Sequence, residues 1–539
     1  MQERIISEAP MQVMVQTDRG WTVMEHPSGA CWTGEDATLT LERSSFGQAA
    51  TVRIRIGSIP CRRFSLRWHA AWRPGTRFLG DQWERGYGDL MWRGLIPEQV
   101  MPWYFLAADG DGTRGVGVMT GPDAMCLWRT DAEGCTLVLD VRCGGCGVEA
   151  SGQAMDAAVL VERTGNSTES PFDAACAFCA MLCRDSLTVD TPVYGGNNWY
   201  YAYGNSEADR LVEDAARIAS WADGCPHRPY MVVDAGWQEI FVRGASCSGG
   251  PWHRGNARFT DMEGLAARMR EKGAVPGLWC RPLLTVENLP EAWLLGRDRF
   301  PIPYEGDVLD PTVPEACAHI RADVARMAGW GYGLIKHDFS TFDLTGRWGF
   351  DMGSALTQDG WSFRDRTVTT AQAIKRLYRA ILEGAASQGA LVMGCNTVGH
   401  LAAGLVHVQR TGDDTSGREW ERTRKMGVNT LAFRMPQHRS FFLADADCVG
   451  LTPDVPWERN RQWMDLLARS GTPLFLSADP AAIGPEQEQQ IRIAFRDACA
   501  ARGAAQPMDW MDTSCPSVWR FSDGENAARY GWSDPLSPC

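Results

Sequence analysis

The spacing of hydrophobic and polar residues changes once along the chain. Up to about residue 185 it shows short alternating segments, "TLTLERS", "ATVRIRIGS", "RFSLRWHA", "TLVLDVRC" and "AAVLVERT", broken by Gly, Asp and Ser. Period-two alternation buries one face of a strand, so this third of the chain predicts an antiparallel β-sandwich. "PFDAACAFCAMLCRD" then has apolar residues at helical spacing and predicts a helix that closes a first domain at 1–185. Over 186–504 apolar β runs alternate with long helical patterns. The runs are "PVYGGNNWY", "PYMVVDAGW", "AVPGLWC", "YGLIKHDF", "ALVMGCN", "LVHVQRTG", a segment near "SFFLADAD", and "TPLFLS". Ser206 and Thr370 read as helix caps between them. Eight runs with helical crossovers predict a (β/α)8 TIM barrel. A doubly wound open sheet is the alternative, but no G-x-G-x-x-G follows the first run. The remainder, 505–539, has room for two or three strands.

Composition narrows the class. The chain has 539 residues, 44% hydrophobic and 22% charged, with a net charge of −13. That balance is ordinary for a globular protein and argues against bulk electrostatic binding to nucleic acid or anionic membrane. No run approaches the ~18 apolar residues of a membrane span, and "MQERIISEAP" lacks the pattern of a secretory signal. The 18 cysteines are scattered through apolar patterns, which predicts buried thiols in a cytoplasmic protein. Two C-x-x-C pairs, Cys143/Cys146 and Cys176/Cys179, have a zinc-like spacing. Cys176, Cys179 and Cys183 also fit one buried helix face, and we expect no metal and no organic cofactor.

In a barrel, functional side chains gather at the C-terminal ends of the strands. The predicted strands end there in polar and aromatic groups: Asn197, Asn198, Trp199 and Tyr200; Asp234 and Trp237; Trp279 and Arg281; Lys336 and Asp338; Cys395 and Asn396; Arg410, Asp413 and Asp414; Asp445 and Asp447. Lys336 and Asp338, two apart, share a face, and His337 points away. Two carboxylates with aromatic platforms are the equipment for glycoside hydrolysis, one attacking and the other protonating the leaving oxygen. A cation beside Asp338 would keep it ionised, and like-charge repulsion from Asp413 would raise Asp414. The loop "GDQWERGYGDLMW" (80–92), with Trp83, Glu84, Tyr87 and Trp92, either reaches over a barrel mouth or is simple core.

These residues match a known pattern. "YGLIKHDFS" resembles the nucleophile strand of clan D retaining α-glycosidases, especially glycoside hydrolase family 36, the melibiase-type α-galactosidases. "RTGDDTSGREW" resembles its acid/base segment, "VVDAGWQ" its Asp-Asp-Gly-Trp motif and "GLWCRP" its third strand. "GCNTVG", "LADADCVGLTP" and "GTPLFLSAD" resemble later strands. The resemblance runs collinearly over about 190–480. It implies Asp338 as nucleophile and Asp414 as acid/base. It implies contacts to a small sugar substrate from Lys336, Asp234, Trp279, Cys395 and Arg410; Trp199, Trp237, Arg281 and Asn396 are further pocket candidates by their place at the strand ends. It also implies removal of a terminal α-linked hexose without a cofactor, in a homo-oligomer.

Three departures from the pattern stand out. Ala235 replaces the second Asp of Asp-Asp-Gly-Trp, Arg281 replaces an acid, and the C-terminal β domain is short. Arg281 would favour an anionic or modified sugar, or else pair with an acid such as Asp310 and never meet substrate. Lys336 and Asp338 could instead form a structural ion pair, and Asp413 could be the acid in place of Asp414. Asp445 and Asp447 read as capping or bracing the strand-seven loop, with one of them lining the pocket as the alternative. A raffinose-synthase-type transglycosylase would use the same residues. A non-catalytic sugar-binding protein would be expected to lose one of the two carboxylates.

Overall fold

The structure, a computed structural model, describes residues 5–44, 49–150, 152–187, 189–240, 249–299, 306–500, 503–522 and 527–533. The first third forms two antiparallel sheets, one of six strands and one of eight. The predicted alternation appears in their burial: Ala49–Ile56 and Arg63–His69 turn every second residue inward. The sheets meet through aromatic packing, with Phe105 and Trp128 edge to face at 5.7 Å. Helix α1 (Pro171–Leu182) follows. It is capped by Ser170, which accepts from the Asp173 amide, and Pro171 starts its first turn. Its Phe178 lies flat on strand Gly112–Val118, where a Cβ on Gly115 would come within 2.5 Å of the ring.

Eight parallel strands form the second domain: β1 (Tyr194–Asn197), β2 (Tyr230–Val233), β3 (Val275–Cys280), β4 (Leu334–His337), β5 (Leu391–Gly394), β6 (Val408–Arg410), β7 and β8 (Leu474–Ala478). They coincide with the eight apolar runs. β7 is split into Leu443–Asp445, which pairs with β6, and Cys448–Leu451, which pairs with β8. Because β8 also pairs with β1, the ring of strands closes through this break. Asp447 takes a left-handed conformation (φ 70°) there. The strands are short and buried on both faces, as all-parallel sheets require.

Helices α2 (Ala208–Trp221), α3 (Met262–Glu271), α4 (Pro314–Gly329), α5 (Thr370–Ala386), α6 (Trp457–Arg469) and α7 (Pro485–Cys499) surround the barrel. The expected caps shift by one residue. Glu207, not Ser206, precedes α2, and Thr369 closes a capping box on α5 with Gln372. Between β6 and β7 the chain runs through Trp420–Thr423, a π-helical turn over Arg424–Asn429, and Thr430–Arg434. Three short strands, Gln506–Pro507, Val518–Arg520 and Ala528–Arg529, complete the described chain. Trp510 between them touches Trp92 of the first domain, Phe172 of α1 and Phe433 of the barrel at 5.2–5.6 Å. Among the described residues no helix is long and apolar enough to cross a membrane.

A buried polar joint also links the domains. Arg434 donates to Asp81 Oδ1 through Nε (2.9 Å) and Nη2 (2.8 Å), and Gln437 donates to Asp81 Oδ2 at 2.7 Å. Asp81→Ala leaves Arg434 buried without its partner and should cost about 3–5 kcal/mol. Urea unfolding of both proteins measures this.

Candidate active site

The polar side chains at the strand ends converge on one charged cluster. Lys336 of β4 is buried and donates to Asp234 Oδ2 at 2.7 Å. Asn197 donates to the same oxygen at 2.7 Å, and Asn198 accepts from the Asp234 amide at 2.8 Å. Burial alone would discharge Lys336, but Asp234 outweighs it and holds the ammonium well above its ordinary pKa. The expected partnership of Lys336 with Asp338 is therefore replaced by one with Asp234. Asp338 is half-buried. Its Oδ2 accepts from the Trp279 indole at 3.3 Å and its Oδ1 from the following amide, Phe339, at 2.8 Å. Phe339 has φ 59°, an outlier for a bulky residue and a local strain beside the carboxylate. His337 faces outward, fully buried, with Nδ1 2.9 Å from Ser340 Oγ.

Arg410 of β6 organises the opposite side. Its Nη1 donates to Cys395 Sγ at 3.3 Å, and its Nη2 reaches Asp414 Oδ1 (3.2 Å) and Asp447 Oδ2 (2.9 Å). Asp447 also accepts from the Thr415 amide at 2.8 Å and from the Tyr200 hydroxyl, which fixes the loop carrying Asp414. Enclosure pushes the Asp414 carboxyl up, but Arg410, Arg85 and Lys336 outweigh it and hold it below the ordinary range. Asp413, expected to raise Asp414, instead turns aside to pair with Arg85 (2.7 Å) and Arg422 (2.8 Å). Burial pushes the Cys395 thiol well up, so it stays neutral between the two arginines.

Four sequence candidates lie away from open pocket surface or at its edge. Trp237 is fully buried and donates its indole N–H to the Trp279 carbonyl at 2.9 Å, so it braces Trp279 from behind. Asn396 is fully buried; its Oδ1 accepts from the Thr341 and Phe342 amides and its Nδ2 donates to Glu84. Arg281 is fully buried in a two-pronged pair with Asp343 (2.9 and 2.5 Å), its guanidinium 4.0 Å from the Phe339 ring centroid. Asp310, the partner expected for it, is engaged by Thr312 and the Arg364 amide. Arg281 thus supplies no free cation to a substrate. Trp199 is half-buried at the start of the turn after β1, beside Tyr203.

Sequence reasoning missed Arg85. Loop 81–93 lies across the barrel mouth of its own chain, with the Gly86 amide donating to the Thr411 carbonyl (2.7 Å) and the Asp413 amide to the Gly86 carbonyl (3.0 Å). This places Arg85 against Asp413 and 3.9 Å from Cys395 Sγ. The neighbouring Trp83, Glu84, Tyr87 and Trp92 had pointed to the loop, but nothing local distinguished the arginine.

The architecture is a (β/α)8 barrel with an antiparallel β-sandwich in front of it. No family model matches the chain. Among solved structures, it resembles the α-galactosidase TtGalA of Thermus thermophilus in complex with p-nitrophenyl α-D-galactopyranoside, at 17% identity over 92% of this chain and 97% of that one (TM-score 0.59). It also resembles a variant of the family 36 α-galactosidase AgaA of Geobacillus stearothermophilus in complex with raffinose, at 13% identity over 95% and 79% (TM-score 0.63). The galactosidase domain of the α-galactosidase–sucrose kinase AgaSK matches at 14% over 90% and 73% (TM-score 0.54). The chain therefore has the fold of the family 36 α-galactosidases, in line with the resemblance carried by its motifs.

Asp445 makes the charge cluster measurable. It is buried beneath the cluster, and burial pushes its carboxyl up to about 7 against the pull of Arg410. A raised folded-state pKa means that the native protein binds a proton the unfolded chain has lost. This contribution to stability is full below about pH 4 and falls as pH rises toward 7, by about 1.4 kcal/mol per unit. Asp445→Asn should remove that fall, so the variant gains on the wild type between pH 4 and 7 in urea unfolding.

Proposed function

We propose that the protein is a retaining, exo-acting α-glycoside hydrolase that removes a terminal α-linked hexose, most closely an α-galactoside. The observation that carries this reading is the pair Asp338 and Asp414, on opposite sides of one mouth and each oriented by neighbouring donors. The bound sugars named for TtGalA and AgaA support the substrate class. Asp338 attacks the anomeric carbon while the glycosidic C–O bond breaks. Its electron pair goes to the leaving oxygen, which takes the proton of Asp414 in the minor fraction of enzyme whose Asp414 has bound a proton from solvent. Water then gives a proton to Asp414 and attacks the same carbon, releasing Asp338. Asp234, fixed by Lys336, and Trp279 face the sugar held between the two carboxylates.

The sugar is neutral in this reading. Arg281 is consumed by Asp343, and the remaining cations Lys336, Arg85 and Arg410 each already face a carboxylate. We place the enzyme in the cytoplasm, consistent with free thiols at every described cysteine. We also propose a homo-oligomer, with the exposed Met11, Trp21 and Val23 near one sheet edge as a surface for it.

Asp338→Asn should abolish turnover with the fold unchanged by circular dichroism. Asp414→Asn should lose far more activity on raffinose, whose leaving group needs a proton, than on p-nitrophenyl α-galactoside, whose leaving group does not. Wild-type-like turnover by Asp338→Asn would remove the assignment. Because Asp414 is held ionised in the free enzyme, kcat/KM on raffinose should fall as pH rises, with a shallower fall on the aryl glycoside.

A further inference from the structure

We propose that Tyr87 of the N-terminal domain and Trp348 and Phe350 of the loop after β4 form a leaving-group subsite. Its aromatic faces would receive the flat, apolar side of an aryl ring or a pyranose. This rests on the hydrolase reading above and adds the side of the scissile bond that the sugar-facing residues leave undefined.

The wall runs from beside Asp338 to Asp413, the residue before Asp414. Phe339 follows Asp338, and its ring lies 5.5 Å from that of Trp348, which stacks on Phe342 at 4.6 Å. The Arg85 guanidinium lies 5.2 Å from the Trp348 ring centroid and 5.9 Å from that of Tyr87. Arg85 in turn pairs with Asp413, the neighbour of Asp414. The leaving oxygen must lie on the side of its proton donor, so a surface ending at the acid loop is where the departing group sits.

The surface is also held from behind. Glu84 is fully buried. It accepts from the Tyr87 hydroxyl and the Asn396 amide, and from the Gly349 backbone at 3.0 Å. Gly349 lies between Trp348 and Phe350, and a Cβ there would meet the Glu84 side chain at 2.4 Å. One buried carboxylate thus binds the N-terminal loop and the β4 loop together. Phe350 is 60% exposed, edge-on to Tyr87 at 4.8 Å. An apolar ring fixed in water beside a catalytic mouth is available for stacking.

The test compares kcat/KM of wild type, Phe350→Ala and Phe350→Trp on p-nitrophenyl α-galactoside, melibiose and methyl α-galactoside. Phe350 is exposed, so both variants should fold. A lost stacking contact predicts a drop of about fivefold to tenfold for Phe350→Ala on one or both large leaving groups. The methyl glycoside should change less than twofold, and Phe350→Trp should recover the loss. A drop confined to the aryl substrate assigns the platform to aromatic aglycones; a drop on both assigns it to flat apolar faces in general. Equal change on all three substrates, or none, overturns the subsite while leaving the hydrolase reading standing. A wild type inactive on all three overturns the hydrolase reading, and the subsite falls with it.

Discussion

Three buried cations at one end of the barrel, Lys336, Arg410 and Arg85, impose the arrangement of everything around them. A buried charge is tolerated only when paired and hydrogen-bonded, so each recruits carboxylates from a different strand end or loop. Asp234 answers Lys336, Asp447 and Asp414 answer Arg410, and Asp413 answers Arg85. The acids outnumber the cations, and Asp445, with a carboxyl pushed up to about 7, absorbs part of the excess by holding its proton. The same balance that makes the barrel mouth stable leaves Asp338 and Asp414 half-open, while Asp413, also partly exposed, is taken up by Arg85 and Arg422. Stability and proposed chemistry are two consequences of one electrostatic constraint.

The frame of this arrangement could be read from sequence because it follows from local rules. The eight apolar runs stand out by length and by the turn residues between them, and each became a strand. Polar residues that interrupt such a run at its C-terminal end are too costly there to be accidental, which is why Asp234, Asp338, Asp414 and Arg410 could be named as a group. Partnerships were a different matter. Lys336 and Asp338 are two residues apart, yet the lysine pairs with Asp234 on the next-but-one strand. Arg281 chose Asp343, on the turn after β4, over Asp310. Spacing along one strand gives the face a side chain occupies, not which neighbour across the barrel reaches it first.

The least legible element was the most consequential. Arg85 reaches a sulfur more than three hundred residues away in sequence, and its contact depends on the domains docking as they do. The sequence marks loop 81–93 by its aromatics and Glu84 as either crossing a barrel mouth or core, and both occur: Trp83 and Trp92 go to the core and Tyr87 to the rim. The N-terminal sandwich is therefore part of the site as well as a neighbour of it. Its docking rests on the Asp81–Arg434 joint, on Trp510 and on the carboxylate of Glu84. The break in β7 was likewise invisible in the hydrophobic pattern. It lets Asp447 take its left-handed conformation and turn toward Arg410 and the loop that carries Asp414.

In the proposed mechanism Asp338 becomes covalently bound to the sugar. Incubating the protein with 5-fluoro-α-galactosyl fluoride, which slows release of the intermediate, and mapping the digested product by mass spectrometry tests it directly. A single adduct of one fluorogalactosyl unit is expected on the peptide containing Asp338. An adduct on Asp413, Asp414 or any other residue would contradict it, as would an active enzyme inactivated by this reagent without any adduct at Asp338.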